Sequence, residues 1–133
     1  NKFHNINLKK SNKKSEIRGQ IFITEIFKEF KIKIKRIFFV NGKKNKIRGK
    51  HAHKKCNQII FYVSGKIEIK MSDGIKEKIF ILKNKGDYVY LPNNIWSEQK
   101  FLNKDSVILI CCDRKYEKSD YIYSIKKLKN NKW

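Results

Sequence analysis

The chain has 133 residues, 40% hydrophobic and 13% aromatic, the composition of a folding rather than a disordered sequence, enough for a single domain over residues 1–133 and too few for two. No apolar run is long enough to cross a bilayer and the opening NKFHNINLKK is too polar for a secretory leader, so no membrane association is expected and the cytoplasm is the expected location. The formal charge is +21, yet only four of the 33 basic residues are arginine (Arg18, Arg36, Arg48, Arg114) and the lysines are spread along the whole chain; specific nucleic-acid binding is therefore not expected, although the field favours an anionic ligand.

In chain order, His4 lies in a polar segment and is expected to be exposed and idle. Arg18-Gly19, in IRGQI, precedes a strand, and such a turn is able to present the arginine inward. FKIKIKRIFFV (30–40) alternates apolar residues with lysine before an apolar run and predicts a strand. Asn41-Gly42 ends it, and the lysine-rich 43–46 reads as a solvated loop. RGKHAHKKCNQ (48–58), if extended, aims His51 and His53 at one face, because alternate strand residues point the same way.

NQIIFYV (57–63), GKIEIKM (65–71), KIFILK (78–83), DYVYL (87–91) and SVILICC (106–112) are short β-type runs separated by Gly, Asn, Asp and Pro. Asp73-Gly74, between two alternating runs, is the strongest hairpin signal. Only DYIYSIKKLKN (120–130) suits a short C-terminal helix. Phe61 reads as core. Cys56, Cys111 and Cys112 have no metal-type spacing and read as reduced, buried thiols. Many short strands with regular turns predict an all-β fold, a jelly-roll β-sandwich or small barrel with room for one interior ligand.

Two stretches together narrow the fold. His51-Ala52-His53 is followed by Gln58 and Gly65, and Gly86 by Pro92, Trp96 and Ser97. That order resembles the paired motifs of the cupin superfamily. Its metal-binding members carry a Glu and a further His at the positions that Gln58 and Ser97 occupy here. Two imidazoles with an amide and a hydroxyl are a poor donor set for zinc or iron. No metal and no other cofactor is expected. Acid–base work suits the pair better, since imidazole titrates near neutral pH.

The ordered set HAHK with Gln58, RIFFV upstream, the Asp-Gly hairpin, YLPNNIW and the late SDYI resembles the WxcM-like cupin family of sugar-nucleotide 3,4-ketoisomerases, over most of the chain. The resemblance implies conversion of dTDP-4-keto-6-deoxyglucose to a 3-keto sugar, which an aminotransferase then uses in making 3-amino-3,6-dideoxy sugars for surface polysaccharide. It also implies a homodimer with strand exchange. It makes His51 the base that removes the C3 proton and returns it at C4, and His53 its assistant on the same face. Arg18 and Arg48 would approach the ligand. Gln58 would bind it or hold a histidine tautomer, and Tyr90 and Trp96 would stack on base or sugar. The chain departs from the family at Phe38 and Phe39, where tyrosines are usual, and at Ser97, where histidine is usual. Altered product stereochemistry, an altered substrate or a weaker enzyme is expected from this. The alternatives are a related sugar-nucleotide epimerase, a metal-dependent dioxygenase-type cupin, and a non-catalytic basic module that binds carbohydrate or nucleic acid.

Overall fold

The computed structural model describes residues 3–130. Its elements, in chain order, are β1 (Lys9–Lys10), β2 (Asn12–Glu16), β3 (Gly19–Ile23), α1 (Ile26–Phe30), β4 (Arg36–Asn41), β5 (Ile47–His53), β6 (Gln58–Ser64), β7 (Ile67–Ser72), β8 (Glu77–Leu82), β9 (Asp87–Leu91), β10 (Trp96–Phe101), β11 (Val107–Cys112), β12 (Tyr121–Ile122) and α2 (Ile125–Asn130), with a 3-10 turn at Lys118–Asp120 before β12. Two five-stranded antiparallel sheets, ordered β1-β9-β6-β11-β4 and β12-β5-β10-β7-β8, face each other as a cupin-type sandwich. The β2–β3 hairpin is a separate two-stranded ribbon.

Alternation decides what lies between the sheets. In β7, Ile67, Ile69 and Met71 are fully buried, while Glu68 and Lys70 on the other face are not. They meet Ile60, Ile108 and Val89 from the facing sheet in one core. The Asp73-Gly74 hairpin forms as expected between β7 and β8, with Asp73 Oδ1 accepting the N–H groups of Ile75 (2.9 Å) and Lys76 (2.8 Å). Gly65 has φ +77°, and a Cβ there would lie 2.4 Å from Ser106 Oγ. Its bare backbone lets Ser106 Oγ accept from the Lys66 N–H and donate to the Lys66 carbonyl, both at 3.0 Å.

The strand expected over 30–40 is shorter than its alternation implied. Only Arg36–Asn41 pairs, against β11, and Ile26–Phe30 winds into a helical turn. Lys31 takes φ +54°, which breaks the extension. Ile32 and Ile34 still bury alternately, but by lying across the outer face of the first sheet, against Ile59 and Tyr88. A period of two reports a one-sided extended segment; it does not guarantee a ladder partner. The C-terminal helix forms and covers the outer face of the second sheet, with Leu128 against Trp96, Ala52 and Ile122. His4 is exposed, as is the 43–46 loop.

Candidate active site

The two histidines stand on β5, and the local backbone explains how His51 is held. Against β10 the register runs Ser97↔His51 and then Glu98↔Gly49, so Lys50 is an extra residue that bulges the strand. Gly49 has φ +92° and Lys50 φ +56°. A Cβ on Gly49 would meet the Ser97 carbonyl oxygen at 3.0 Å. The bulge sets the Gly49 carbonyl 2.9 Å from His51 Nδ1. A carbonyl only accepts, so Nδ1 carries the hydrogen and Nε2 keeps a lone pair. His51 lines a cavity of about 400 Å³ between the two sheets. A basic nitrogen in a ligand-sized space follows from three consecutive residues, Gly49 to His51.

His53 lies deeper and is held differently. Its Nδ1 is 3.0 Å from Asp120 Oδ2, and Asp120 also accepts the N–H groups of Lys55 (2.8 Å) and Cys56 (3.3 Å). The carboxylate therefore fixes both the imidazole and the loop after β5. His53 Nε2 is buried without a partner among the described residues. The two imidazoles meet edge to face with centroids 5.1 Å apart. Tyr121 lies over both, 4.8 Å from His51 and 4.4 Å from His53. Burial pushes the His51 pKa below the ordinary histidine value; His53 adds to the effect, and the Gly49 hydrogen bond opposes it. Burial also lowers His53, against the raising effect of Asp120. Both rings are thus neutral near pH 7, the state in which an imidazole can take a proton.

The first sheet supplies Phe38, Val40, Gln58 and Ile110 to the cavity, and the second supplies Arg48, Gly49, His51 and Gln99. Tyr116, Tyr121 and Tyr123, from the segment after β11, close one side. Of the two phenylalanines in β4, Phe38 faces the cavity, whereas Phe39 points out and is 65% exposed. Arg48 is a cation at the rim. Gln58 is buried, with Nε2 donating to Cys112 Sγ at 3.3 Å, which leaves its carbonyl oxygen as an acceptor. Hydrogen bonds from Cys56, Gln58 and Arg36 hold the Cys112 thiol below its ordinary pKa.

Three expected site residues lie elsewhere. Tyr90 points to the outer face of the first sheet, stacked on Phe30 with centroids 4.6 Å apart; the pleat turns it away from the inter-sheet core that holds its neighbours Val89 and Leu91. Trp96 is buried on the outer face of the second sheet beneath α2, and its Nε1–H donates to Glu98 at 2.9 Å. Both side chains pack on outer sheet faces and neither lines the cavity. Arg18 occupies the exposed turn of the β2–β3 hairpin and is not on the cavity wall of its own chain. His51, Arg48 and Gln58 are brought together as expected, with His53 behind His51.

As donors to a metal the residues fit poorly. The Gln58 amide is engaged by sulfur, Ser97 offers only a hydroxyl, and His53 Nδ1 is bound to a carboxylate. Sequence reasoning missed Asp120, Tyr121, Gln99 and Arg36. SDYI belongs to the resemblance, but no spacing ties Asp120 to a histidine 67 positions away.

Residues 2–133 match the family model described as FdtA: WxcM-like, C-terminal. Among curated proteins, the TDP-4-oxo-6-deoxy-alpha-D-glucose-3,4-oxoisomerase of Aneurinibacillus thermoaerophilus is 27% identical over 106 residues, 79% of this chain and 76% of that protein. A 3,4-ketoisomerase from Helicobacter canadensis superposes with a TM-score of 0.86 at 26% identity, covering 95% of this chain and 96% of that one. WlaRB, a TDP-quinovose 3,4-ketoisomerase from Campylobacter jejuni, gives 0.87 at 26% identity, with 96% and 98% covered.

Proposed function

Because the chain belongs to the FdtA, WxcM-like C-terminal family, we propose that it is a sugar-nucleotide 3,4-ketoisomerase that converts TDP-4-keto-6-deoxyglucose to the 3-keto sugar. The observation that carries this reading is a neutral His51 whose Nδ1 is fixed by Gly49 and whose Nε2 is the lone-pair nitrogen of a cavity-lining ring. In the proposed reaction His51 takes the proton from C3, which the C4 carbonyl acidifies. The electron pair is held as an enediolate across C3 and C4, and the proton returns at C4 as the carbonyl forms at C3. No oxidant is consumed and no cofactor is called for, so a chelator leaves the rate unchanged.

His53, fixed by Asp120, supports His51 from behind and keeps the local field neutral. Arg48 at the rim is a cation for the diphosphate, and Gln58 an acceptor for a sugar hydroxyl. Arg18 reaches a ligand only if the β2–β3 hairpin of one copy lies at the cavity of another. In this reading its role belongs to a homodimer with strand exchange. The activity belongs in the cytoplasm, at the step before an aminotransferase that makes 3-amino-3,6-dideoxy sugars for surface polysaccharide. The direct test couples the protein to a 3-aminotransferase with TDP-4-keto-6-deoxyglucose as substrate. A 3-amino sugar nucleotide is expected, and its absence contradicts the reading.

A further inference from the structure

β4 turns Phe38 to the cavity, and its ring brings no hydrogen-bond donor there. Resting on the isomerase reading above, we infer that the Tyr121 hydroxyl donates the hydrogen bond that holds the enediolate oxygen during proton transfer.

Tyr121 is on the cavity wall with His51, and its ring packs on both imidazoles. Its backbone is tied to theirs, since β12 pairs with β5 in the register Tyr121↔His53 and Ile122↔Ala52. Phenol and base therefore move as one unit. The charge of Arg36 acts on the phenol from close by. No acceptor for the Tyr121 hydroxyl hydrogen is found among the described residues, which leaves it for whatever enters the cavity. Arg36 is itself fixed, with Nη2 3.6 Å from Cys112 Sγ and its guanidinium 5.2 Å and 5.5 Å from the rings of Phe38 and Tyr116. The nearby positive charge strengthens the phenol O–H as a donor to a developing anion. Burial keeps the phenol protonated through neutral pH, although Arg36 partly opposes that shift.

The electron accounting is complete without another reactant. As the C3–H bond breaks to His51, its pair becomes the C3–C4 double bond, and the C4 carbonyl pair moves onto the oxygen that Tyr121 holds. On collapse, the C3 hydroxyl proton passes to the C4 oxygen, the C3 carbonyl forms, and C4 takes its proton from the His51 imidazolium.

Tyr121→Phe keeps the ring and removes only the hydroxyl. With TDP-4-keto-6-deoxyglucose, kcat is expected to fall about 10²-fold, and loss of deuterium label from C3 is expected to slow by the same factor. KM, TDP affinity by calorimetry and Tm should stay at wild-type values. A variant with wild-type kcat overturns the assignment, as does one whose lower kcat is matched by equal losses of TDP affinity and Tm. If the wild-type protein leaves this substrate unchanged, the isomerase reading fails, and the inference with it.

Discussion

At the scale of single residues the site rests on which nitrogen of which histidine is free. His51 gives its Nδ1–H to Gly49, and His53 is held by Asp120. Only His51 pairs a fixed tautomer with a place on the cavity wall. His51→Asn removes the base and keeps the strand, so kcat should fall at least about 10³-fold, within the range of general-base losses, with TDP still bound. The pH dependence follows from burial. A base works only when neutral, and the folded His51 pKa lies below the ordinary value of about 6.5. The acid limb of kcat/KM should therefore have its midpoint below that value, and a midpoint above pH 7 would contradict the assignment. The histidine pair and its shared face were legible from spacing alone. Asp120 and Tyr121 were not, because a partner 67 residues distant is set by the pairing of β12 with β5.

Among the elements, the short β runs were readable wherever alternation met a turn residue, as at Ile67–Ser72 and Asp87–Leu91. β10 was not, since WSEQKF has no β-branched residue and turns Ser97 and Gln99 inward. The same pleat explains the placement of Tyr90 and Trp96, each on the face of its strand away from the cavity. Asp87, at the start of β9, ties three segments together. It accepts the N–H groups of Lys83 (3.1 Å) and Asn84 (2.9 Å) and pairs with Lys10 of β1. Burial raises its pKa, but Lys10 and the backbone donors outweigh that and leave the carboxyl below its ordinary value. Its stabilisation is thus complete above the unfolded pKa of about 4 and is lost as pH falls through the lower folded one. Asp87→Asn should cost about 2–3 kcal/mol in urea unfolding at pH 7, and the difference from wild type should shrink below pH 4.

On the scale of the whole molecule, two apolar surfaces bear on the proposed homodimer. The outer face of the first sheet leaves Ile37 (59%), Phe39 (65%) and Val63 (42%) exposed, and the projecting β2–β3 hairpin exposes Ile17, Ile21 and Ile23. A chain of formal charge +21 gains solubility from its lysines, so an uncovered apolar sheet is the exception on this surface. Light scattering should give twice the chain mass of 16.0 kDa, and Phe39→Glu should shift it to the single mass; a wild-type protein that stays at the single mass would contradict the dimer. Arg18→Ala should then raise KM in the dimeric protein, although Arg18 lies outside the cavity of its own chain. The measurement closest to the central claim is proton NMR of TDP-4-keto-6-deoxyglucose with the protein in deuterated water. The account predicts that the carbonyl moves from C4 to C3 and that C4 gains a hydrogen, as deuterium to the extent that the His51 imidazolium exchanges with solvent before delivering it. Unchanged starting material, or deuterium at C5 with the carbonyl still at C4, would contradict it.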